Sequence, residues 1–177
     1  MPNPIYAYTK IIPLAERSSI IVDSGIGIPV YLIQPGTPPN QKFKVPAKAL
    51  IDTGCSKTSI SKRLATACKL IPFQKTRMEN AGGIAIVNVY TVDVFLPNGV
   101  RANNIKVAEF ADNNRFDIII GMDILKDLDL SITNANGQMM FSIRQPPDAF
   151  HIDYEKMQKK DKAAKNMKEQ LRRKQVK

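Results

Sequence analysis

The chain has 177 residues, of which 44% are hydrophobic and 24% are charged, a balance typical of a soluble globular protein rather than a disordered one. Two cysteines and a single histidine, His151, argue against a disulfide framework, a zinc site and a histidine-dependent catalytic triad. No apolar run approaches the roughly 18 residues of a membrane span, and residues 1–4 lack the features of a secretory signal. We therefore expect a cytoplasmic protein without a membrane partner.

The net charge of +10 is concentrated at the C-terminal end of the chain. From His151 to Lys177, ten Lys and Arg residues oppose four Asp and Glu residues, a net of +6 that leaves +4 for the first 150 residues. The composition changes after Pro146-Pro147. We predict an N-terminal lead segment (1–19), one folded domain (20–147) and a basic C-terminal tail (148–177) that is partly helical or disordered.

Short β-branched runs predict strands in the first third of the chain. Ile20-Ile21-Val22 and residues 29–33 are such runs, and the Pro- and Gly-rich residues 35–40 follow them, which suggests a hairpin. Residues 45–51 form another apolar run, and this run ends directly at Asp52-Thr53-Gly54.

The spacing of apolar residues changes after this turn. Three of them recur every four positions: Ile60, Leu64 and Cys68. This period predicts a short helix that runs to about Leu70, with Ser56 or Ser59 as its N-cap.

Strand patterns return in the second half of the domain. Within residues 84–96, four apolar side chains share one face: Tyr90, Val92, Val94 and Leu96. Asn98-Gly99 predicts a hairpin turn because both residues tolerate positive φ, and the returning strand is expected to begin at Ile105 and Val107.

The end of the domain repeats the order of strand, glycine and helix. Residues 116–121 predict a buried strand that ends at Gly121, and residues 122–125 predict the start of a short helix. A turn at 134–137 then precedes a last strand at 139–143.

Asp52-Thr53-Gly54 is the candidate for catalysis. Aspartic protease chemistry needs two carboxylates that share a proton, one acting as a base toward water while the other hydrogen-bonds the scissile carbonyl. Gly54 permits the close backbone approach of a tight turn, and the Thr53 hydroxyl can bond to a partner loop. The preceding apolar run would anchor Asp52 in a buried strand.

The sequence around this tripeptide is more informative than the tripeptide itself, which is also compatible with a simple Asx turn at a strand end. A glycine-rich hairpin tip follows at residues 79–84, and a second aliphatic-aliphatic-Gly element with a helix follows at 118–125. Over roughly residues 20–143, the chain resembles the retropepsin-like aspartic proteases, which carry these features in this order. The cellular and bacterial members are more similar to it than the viral ones.

This resemblance implies a mostly β fold, an acid-protease barrel with one short helix after the catalytic turn and one after the Ile-Gly motif. Because the chain has a single Asp-Thr-Gly, it also implies an obligate homodimer whose two Asp52 residues meet on the two-fold axis. Thr53 would lock the two turns together, and Gly54 would contact the substrate backbone.

The resemblance also implies how a substrate binds. Gly82 and Gly83 would lie in a flap that closes over an extended peptide, and Ile119 would form part of a pocket wall. The expected activity is that of an aspartic endopeptidase that prefers hydrophobic residues beside the cut and works at acidic to near-neutral pH. No metal, cofactor or covalent intermediate is expected.

The chain departs from the family pattern at three positions. Cys55 follows the catalytic glycine where Ala or Ser is usual, and an inert buried cysteine is a simpler interpretation than an oxidation-sensitive one. Ser56 and Met122 occupy the positions of an Asp–Arg pair that braces viral dimers, so both partners are missing together.

Two other functions are compatible with parts of the sequence, and a third is set aside. A catalytically silent retropepsin-fold module could dimerise or bind peptides, because a fold does not fix a function. The basic tail could contact nucleic acid, although a solvated tail is the simpler interpretation. A phosphate-binding loop at residues 54–58 lacks the required spacing, and we interpret Asp117 and Asp123 as structural rather than metal-binding.

Overall fold

The computed structural model describes residues 4–13, 19–27, 45–80 and 83–175, and the predicted hairpin segments at 29–33 and 35–40 lie outside these ranges. The strands are β1 (Tyr6–Pro13), β2 (Ile21–Gly27), β3 (Val45–Ile51), β4 (Ser59–Ser61), β5 (Gln74–Asn80), β6 (Gly83–Phe95), β7 (Arg101–Phe110), β8 (Ile118–Ile120), β9 (Asp129–Ala135) and β10 (Gln138–Gln145). The helices are α1 (Lys62–Ala67), α2 (Met122–Leu125) and α3 (Tyr154–Gln175).

Seven strands form one sheet that closes on itself. Their order is β2-β3-β8-β4-β7-β6-β5, and β2 also pairs with β6, which closes a barrel and leaves β5 attached at its side. The pairs β3–β8 and β4–β7 are parallel, whereas the other pairs of this sheet are antiparallel. The predicted mostly β, barrel-like fold is confirmed.

The barrel interior is filled by alternate side chains of these strands. On β6, the predicted apolar face is buried, since Tyr90, Val92 and Val94 are at most 5% exposed. On β8, Ile118 and Ile120 are fully buried, so the face that bears Ile119 is the outer one. Burial of one face therefore fixes the register of the strands that carry the candidate site.

The helix after the catalytic turn is shorter than predicted. Ile60 lies in β4, fully buried, rather than in a helix. The N-cap of α1 is Ser61, whose side chain accepts a hydrogen bond from the Leu64 N–H at 3.2 Å, so neither Ser56 nor Ser59 caps it. The prediction was wrong in these details because a three-residue strand comes first.

The hairpin after β6 is confirmed, and its second strand begins earlier than predicted. Pro97–Gly99 form one turn of 3-10 helix, and β7 begins at Arg101 rather than at Ile105. The buried strand expected at 116–121 is limited to the three residues of β8, and α2 begins directly after Gly121 as predicted.

A second sheet of three strands has the order β1-β10-β9. β1 falls within the predicted lead segment and pairs with β10 along its whole length, from Tyr6 opposite Gln145 to Pro13 opposite Gln138. β10 contributes Phe141 and Ile143 to the same buried cluster as the barrel strands. This sheet therefore shares the core of the barrel.

The chain divides into two compact units, Met1–Pro147 and Asp148–Lys177. The second unit contains α3, a helix of 22 residues. Among the described residues, no helix combines the length and the apolar character needed to cross a membrane.

Candidate active site

The candidate catalytic turn begins where two parallel strands end side by side. β3 and β8 pair so that Ile51 lies opposite Ile120, and Asp52 follows Ile51 directly. The Asp52 N–H donates to the Ile120 carbonyl at 3.0 Å, which continues the pairing by one residue. Both Asp52 and Gly121 are thereby placed at the same edge of the barrel.

The Asp52 carboxylate is held by its own turn. Its Oδ1 accepts a hydrogen bond from the Gly54 N–H at 2.9 Å, and its backbone carbonyl accepts one from the Cys55 N–H at 3.3 Å. A Cβ added at Gly54 would lie 3.2 Å from this Oδ1, so glycine leaves room for the contact. Asp52 is half-buried, which keeps its carboxylate accessible to water.

Thr53 and Cys55 flank this carboxylate in different ways. Thr53 is exposed, and within the described ranges its hydroxyl makes no hydrogen bond, so it is available to a partner. Burial, the negative charge of Asp52 and a hydrogen bond to Asp52 raise the pKa of the Cys55 thiol. Cys55 is therefore a protonated neighbour of Asp52 at neutral pH.

Hydrogen bonds connect Thr58, in the loop that follows Asp52, to α2. Thr58, which is fully buried, donates from its N–H and its hydroxyl to Asp123 Oδ1, at 2.9 and 2.7 Å. The same hydroxyl accepts from the Gly121 N–H at 3.1 Å. These contacts confirm the structural interpretation of Asp123.

Gly121 allows the backbone of the catalytic loop to approach α2. A Cβ added at Gly121 would lie 2.6 Å from the Lys57 carbonyl carbon and 2.9 Å from the Cys55 oxygen, closer than real Cβ contacts. The next residue, Met122, donates its N–H to the same Cys55 oxygen at 2.8 Å. The Ile-Gly motif and the Asp-Thr-Gly turn are thus one packed unit.

The Asp117 carboxylate also makes structural contacts with neighbouring elements. Its Oδ2 accepts from the Lys48 N–H at 3.1 Å, and its Oδ1 pairs with the Arg63 guanidinium at 2.5 Å. The hydrogen bond from Arg63 to Asp117 and the negative charge of that carboxylate raise the pKa of the Arg63 guanidinium. The interpretation of Asp117 as structural is confirmed.

Ile119 belongs to a row of residues that crosses the outer face of the barrel. Directly opposite residues on neighbouring strands share a face, and the register gives the row Ile21, Leu50, Ile119, Ser59, Ala108 and Val89. Leu50 and Ile119 are half-buried, and Leu50 lies two residues before Asp52. This row, hereafter the outer row, gives the catalytic turn an apolar neighbour.

The predicted flap is a hairpin of β5 and β6. The two strands pair from Gln74 opposite Val89 to Asn80 opposite Gly83, where the φ of Gly83 is +112°. Gly82 lies outside the described residues. Val87 stands on the same face of β6 as Val89, so one face of the hairpin continues the outer row.

A second tripeptide, Asp23-Ser24-Gly25, is similar in sequence to Asp52-Thr53-Gly54, and it was not among the predicted site residues. Its local environment is different, because these residues lie within the extended strand β2 and not in a turn. Asp23 faces Lys48 across the sheet, and its side chain is 83% exposed. The hydrogen bond and charge of Lys48 lower the pKa of Asp23, so it is ionised and paired rather than poised for catalysis.

Metal chemistry has no candidate ligand set here. Across the residues with described positions, no group of three His, Cys, Asp or Glu side chains could hold a metal ion.

The barrel with its Asp-Thr-Gly turn defines a retropepsin-like fold. Residues 43–127 match the family described as gag-polyprotein putative aspartyl protease, and this stretch contains both Asp52 and Gly121. The predicted resemblance to retropepsin-like aspartic proteases is therefore confirmed. A comparison with curated protein sequences gave no match.

Several solved structures are similar to the chain at low sequence identity. A retropepsin-like aspartic protease from Rickettsia conorii has a TM-score of 0.48 and 14% identity, over 81% of this chain and 98% of that one. The retroviral protease-like domain of Ddi1 from Leishmania major has a TM-score of 0.39 and 20% identity, over 70% and 95%. The protease of Simian Foamy Virus (mac) has a TM-score of 0.38 and 15% identity, over 60% and 92%.

Proposed function

We propose that the chain is an aspartic endopeptidase whose active site forms from the Asp52 residues of two identical chains. The observation that carries the proposal is the placement of Asp52, which is half-buried, held by the Gly54 N–H and fixed to the end of β8. A carboxylate oriented in this way can accept a proton from water without a change in the backbone.

A second carboxylate is required, and we propose that a second copy of the chain supplies it. Asp23 is engaged with Lys48, Asp117 with Arg63, and Asp123 with Thr58. The exposed Thr53 lies beside Asp52, where it can bond to the equivalent turn of a two-fold partner. Two carboxylates brought together on that axis would share one proton, because two like charges at such a distance are unfavourable.

The proposed reaction adds water across a peptide bond. One Asp52 carboxylate takes a proton from the water while the water oxygen attacks the carbonyl carbon. The other Asp52 donates its proton to the carbonyl oxygen. The gem-diol intermediate then collapses: the first Asp52 passes the proton it took from water to the leaving nitrogen, and the C–N bond breaks. One hydroxyl of the diol returns its proton to the second Asp52 as the carbonyl of the product acid forms, so the pair again holds one proton. Thus no covalent enzyme intermediate is formed.

The outer row supports an extended, apolar substrate. Leu50 and Ile119 offer half-buried aliphatic surface beside Asp52, and the hairpin of β5 and β6 continues the same face. An extended peptide between the two would bond through its backbone and place alternate side chains on this surface. We propose hydrophobic residues next to the cleaved bond.

The first experiment compares cleavage by the wild type, Asp52→Asn and the matched control Asp127→Asn, whose side chain is exposed. A peptide library is digested and the products are identified by mass spectrometry. We expect Asp52→Asn to lose about a thousandfold or more in rate, while the control cleaves like the wild type. Equal cleavage by Asp52→Asn would reject the proposal. A wild type that binds peptides and cleaves none would favour the silent module.

A mixing experiment tests the shared site. When wild-type and Asp52→Asn chains exchange subunits at constant total concentration, only dimers with two intact Asp52 residues should cleave. Activity should then fall with the square of the wild-type fraction, whereas a site within one chain gives a linear fall. Analytical ultracentrifugation of both chains checks that the substitution leaves the dimer intact.

A further inference from the structure

We propose that α3 binds the phosphate backbone of nucleic acid, a role separate from peptide hydrolysis. The helix spans 22 residues, and every described side chain from Tyr154 to Lys168 is exposed. Exposed basic side chains on a helix of this length can contact several phosphates in succession.

The charge of this surface is strongly positive. Six lysines lie between residues 154 and 168, namely Lys156, Lys159, Lys160, Lys162, Lys165 and Lys168, against Glu155 and Asp161. Lys156 pairs with Asp153, and Lys159 pairs with Glu155. The other four lysines form no ion pair with a residue whose side chain the structure describes. The first 150 residues carry a net +4, so the complementary charge is expected from another molecule.

Three of these lysines form a ridge along the helix. Lys162, Lys165 and Lys168 are spaced three residues apart, so they follow one another on one side with axial steps of about 4.5 Å. Like charges at this spacing weaken an isolated helix. Each strand of duplex DNA contributes one phosphate about every 3.4 Å of the duplex axis, and such phosphates would neutralise the ridge and remove this repulsion.

A membrane surface is a poorer partner for this helix. An interfacial helix needs a continuous apolar face, often with large aromatic side chains. Here the thin apolar stripe in the sequence holds Tyr154, Met157, Ala164, Met167 and Leu171, and Lys160 interrupts it at helical spacings of three, four and seven residues from Met157, Ala164 and Met167. A polyanion requires no such face, because contact with the lysines is enough.

The test uses the full chain carrying Asp52→Asn, so that self-cleavage cannot remove the helix. In this background, one variant replaces Lys162, Lys165 and Lys168 by Gln, which keeps the helix propensity and removes three charges. A matched control replaces Lys62, Lys75 and Lys126 by Gln. These three lysines are exposed and belong to the other unit. Circular dichroism then verifies that the variants retain their helix content.

Binding is measured by fluorescence anisotropy with a labelled single-stranded RNA and a labelled duplex DNA of mixed sequence, over a series of salt concentrations. We expect the ridge variant to bind about ten- to a hundredfold more weakly at low salt. The slope of log K against log salt should fall in magnitude by about two to three. The control should retain most of the affinity and slope of its parent.

Three results would overturn the proposal. One is the absence of salt-dependent binding to either nucleic acid by the parent chain. Another is an equal loss in the ridge variant and the control, which would indicate attraction by net charge alone. The third is ridge-dependent binding to vesicles containing phosphatidylserine without binding to nucleic acid, which would assign the helix to a membrane surface.

Discussion

Asp123 Oδ1 accepts two hydrogen bonds from Thr58, one from its backbone N–H at 2.9 Å and one from its hydroxyl at 2.7 Å. The two residues are 65 positions apart, and Thr58 is fully buried. This contact ties the loop that follows Asp52 to the helix that follows Gly121, so the carboxylate of Asp123 positions the Asp-Thr-Gly turn.

We predict that Asp123→Ala destabilises the protein by about 1–3 kcal/mol, because it leaves the buried Thr58 N–H without an acceptor. Peptide cleavage should fall at temperatures where the variant is still folded. Asp123→Asn retains an oxygen at the same place and should restore most of both properties. Urea unfolding and cleavage assays measure the two effects, with Asp127→Ala as the control. Equal effects of the Ala and Asn variants would contradict a hydrogen-bonding role.

The strands next to the site were predictable, because burial of one face imposes a pattern on the sequence. β3 has the predicted bounds, and the apolar face of β6 is the buried one. β4 was not predictable, since Ile60 stands four residues before Leu64 and mimics a helical period. Its pairing partners β7 and β8 are far away in sequence, and this tertiary contact overrides the local pattern.

The candidate site shows the same division between local and distant contacts. The Asp52-Thr53-Gly54 turn is local, and the bond from the Gly54 N–H to Asp52 follows from three adjacent residues. The bond between Thr58 and Asp123 has no fixed spacing that a sequence could reveal. The similar tripeptide Asp23-Ser24-Gly25 forms no such turn, because it lies within the paired strand β2. A short motif therefore does not fix its own backbone conformation.

Gly121→Ala should displace the catalytic loop. Its Cβ would lie 2.6–2.9 Å from backbone atoms of Lys57 and Cys55, and backbone cannot move aside as a flexible side chain would. We expect a loss of about 1–3 kcal/mol in unfolding free energy and a larger relative loss of cleavage. Gly137→Ala, where a Cβ meets no atom within 4 Å but φ is +72°, measures the backbone strain of replacing a glycine without a steric clash. A Gly121→Ala variant with full activity would show that the loop tolerates this displacement.

Ile119→Ala should change which peptides are cleaved. It removes aliphatic surface from the outer row beside Leu50, so substrates with a larger hydrophobic residue at the cut should gain relative to small ones. A change of roughly ten- to a hundredfold in the ratio of kcat/KM values is expected for such a pocket contact. Profiling with the same peptide library measures this ratio. Ile105→Ala, on β7 outside the row, should leave the profile unchanged.

Cys68 should make stability depend on pH in the alkaline range. Burial raises the pKa of its thiol from about 9 to about 11, so the folded state holds this proton more tightly than the unfolded state. The resulting stabilisation is complete below pH 9 and is lost as the pH rises through 11, by about 3 kcal/mol in total. Urea unfolding of the wild type minus that of Cys68→Ala, measured from pH 7.5 to 10.5, should decrease accordingly. A constant difference would show that the thiol is not protected.

Cys55 reports on the charge of Asp52. Burial is the largest cause that raises the pKa of the Cys55 thiol, and the Asp52 carboxylate adds to it through its charge and a hydrogen bond. Removing that charge in Asp52→Asn should lower the thiol pKa, increase the thiolate fraction and speed alkylation by iodoacetamide at pH 8 by roughly two- to tenfold. The Cys68→Ala background leaves Cys55 as the single thiol, and Asp127→Asn provides the charge-matched control. An unchanged rate would mean that burial alone governs the thiol. Faster alkylation would establish that the Asp52 side chain raises the pKa of the Cys55 thiol.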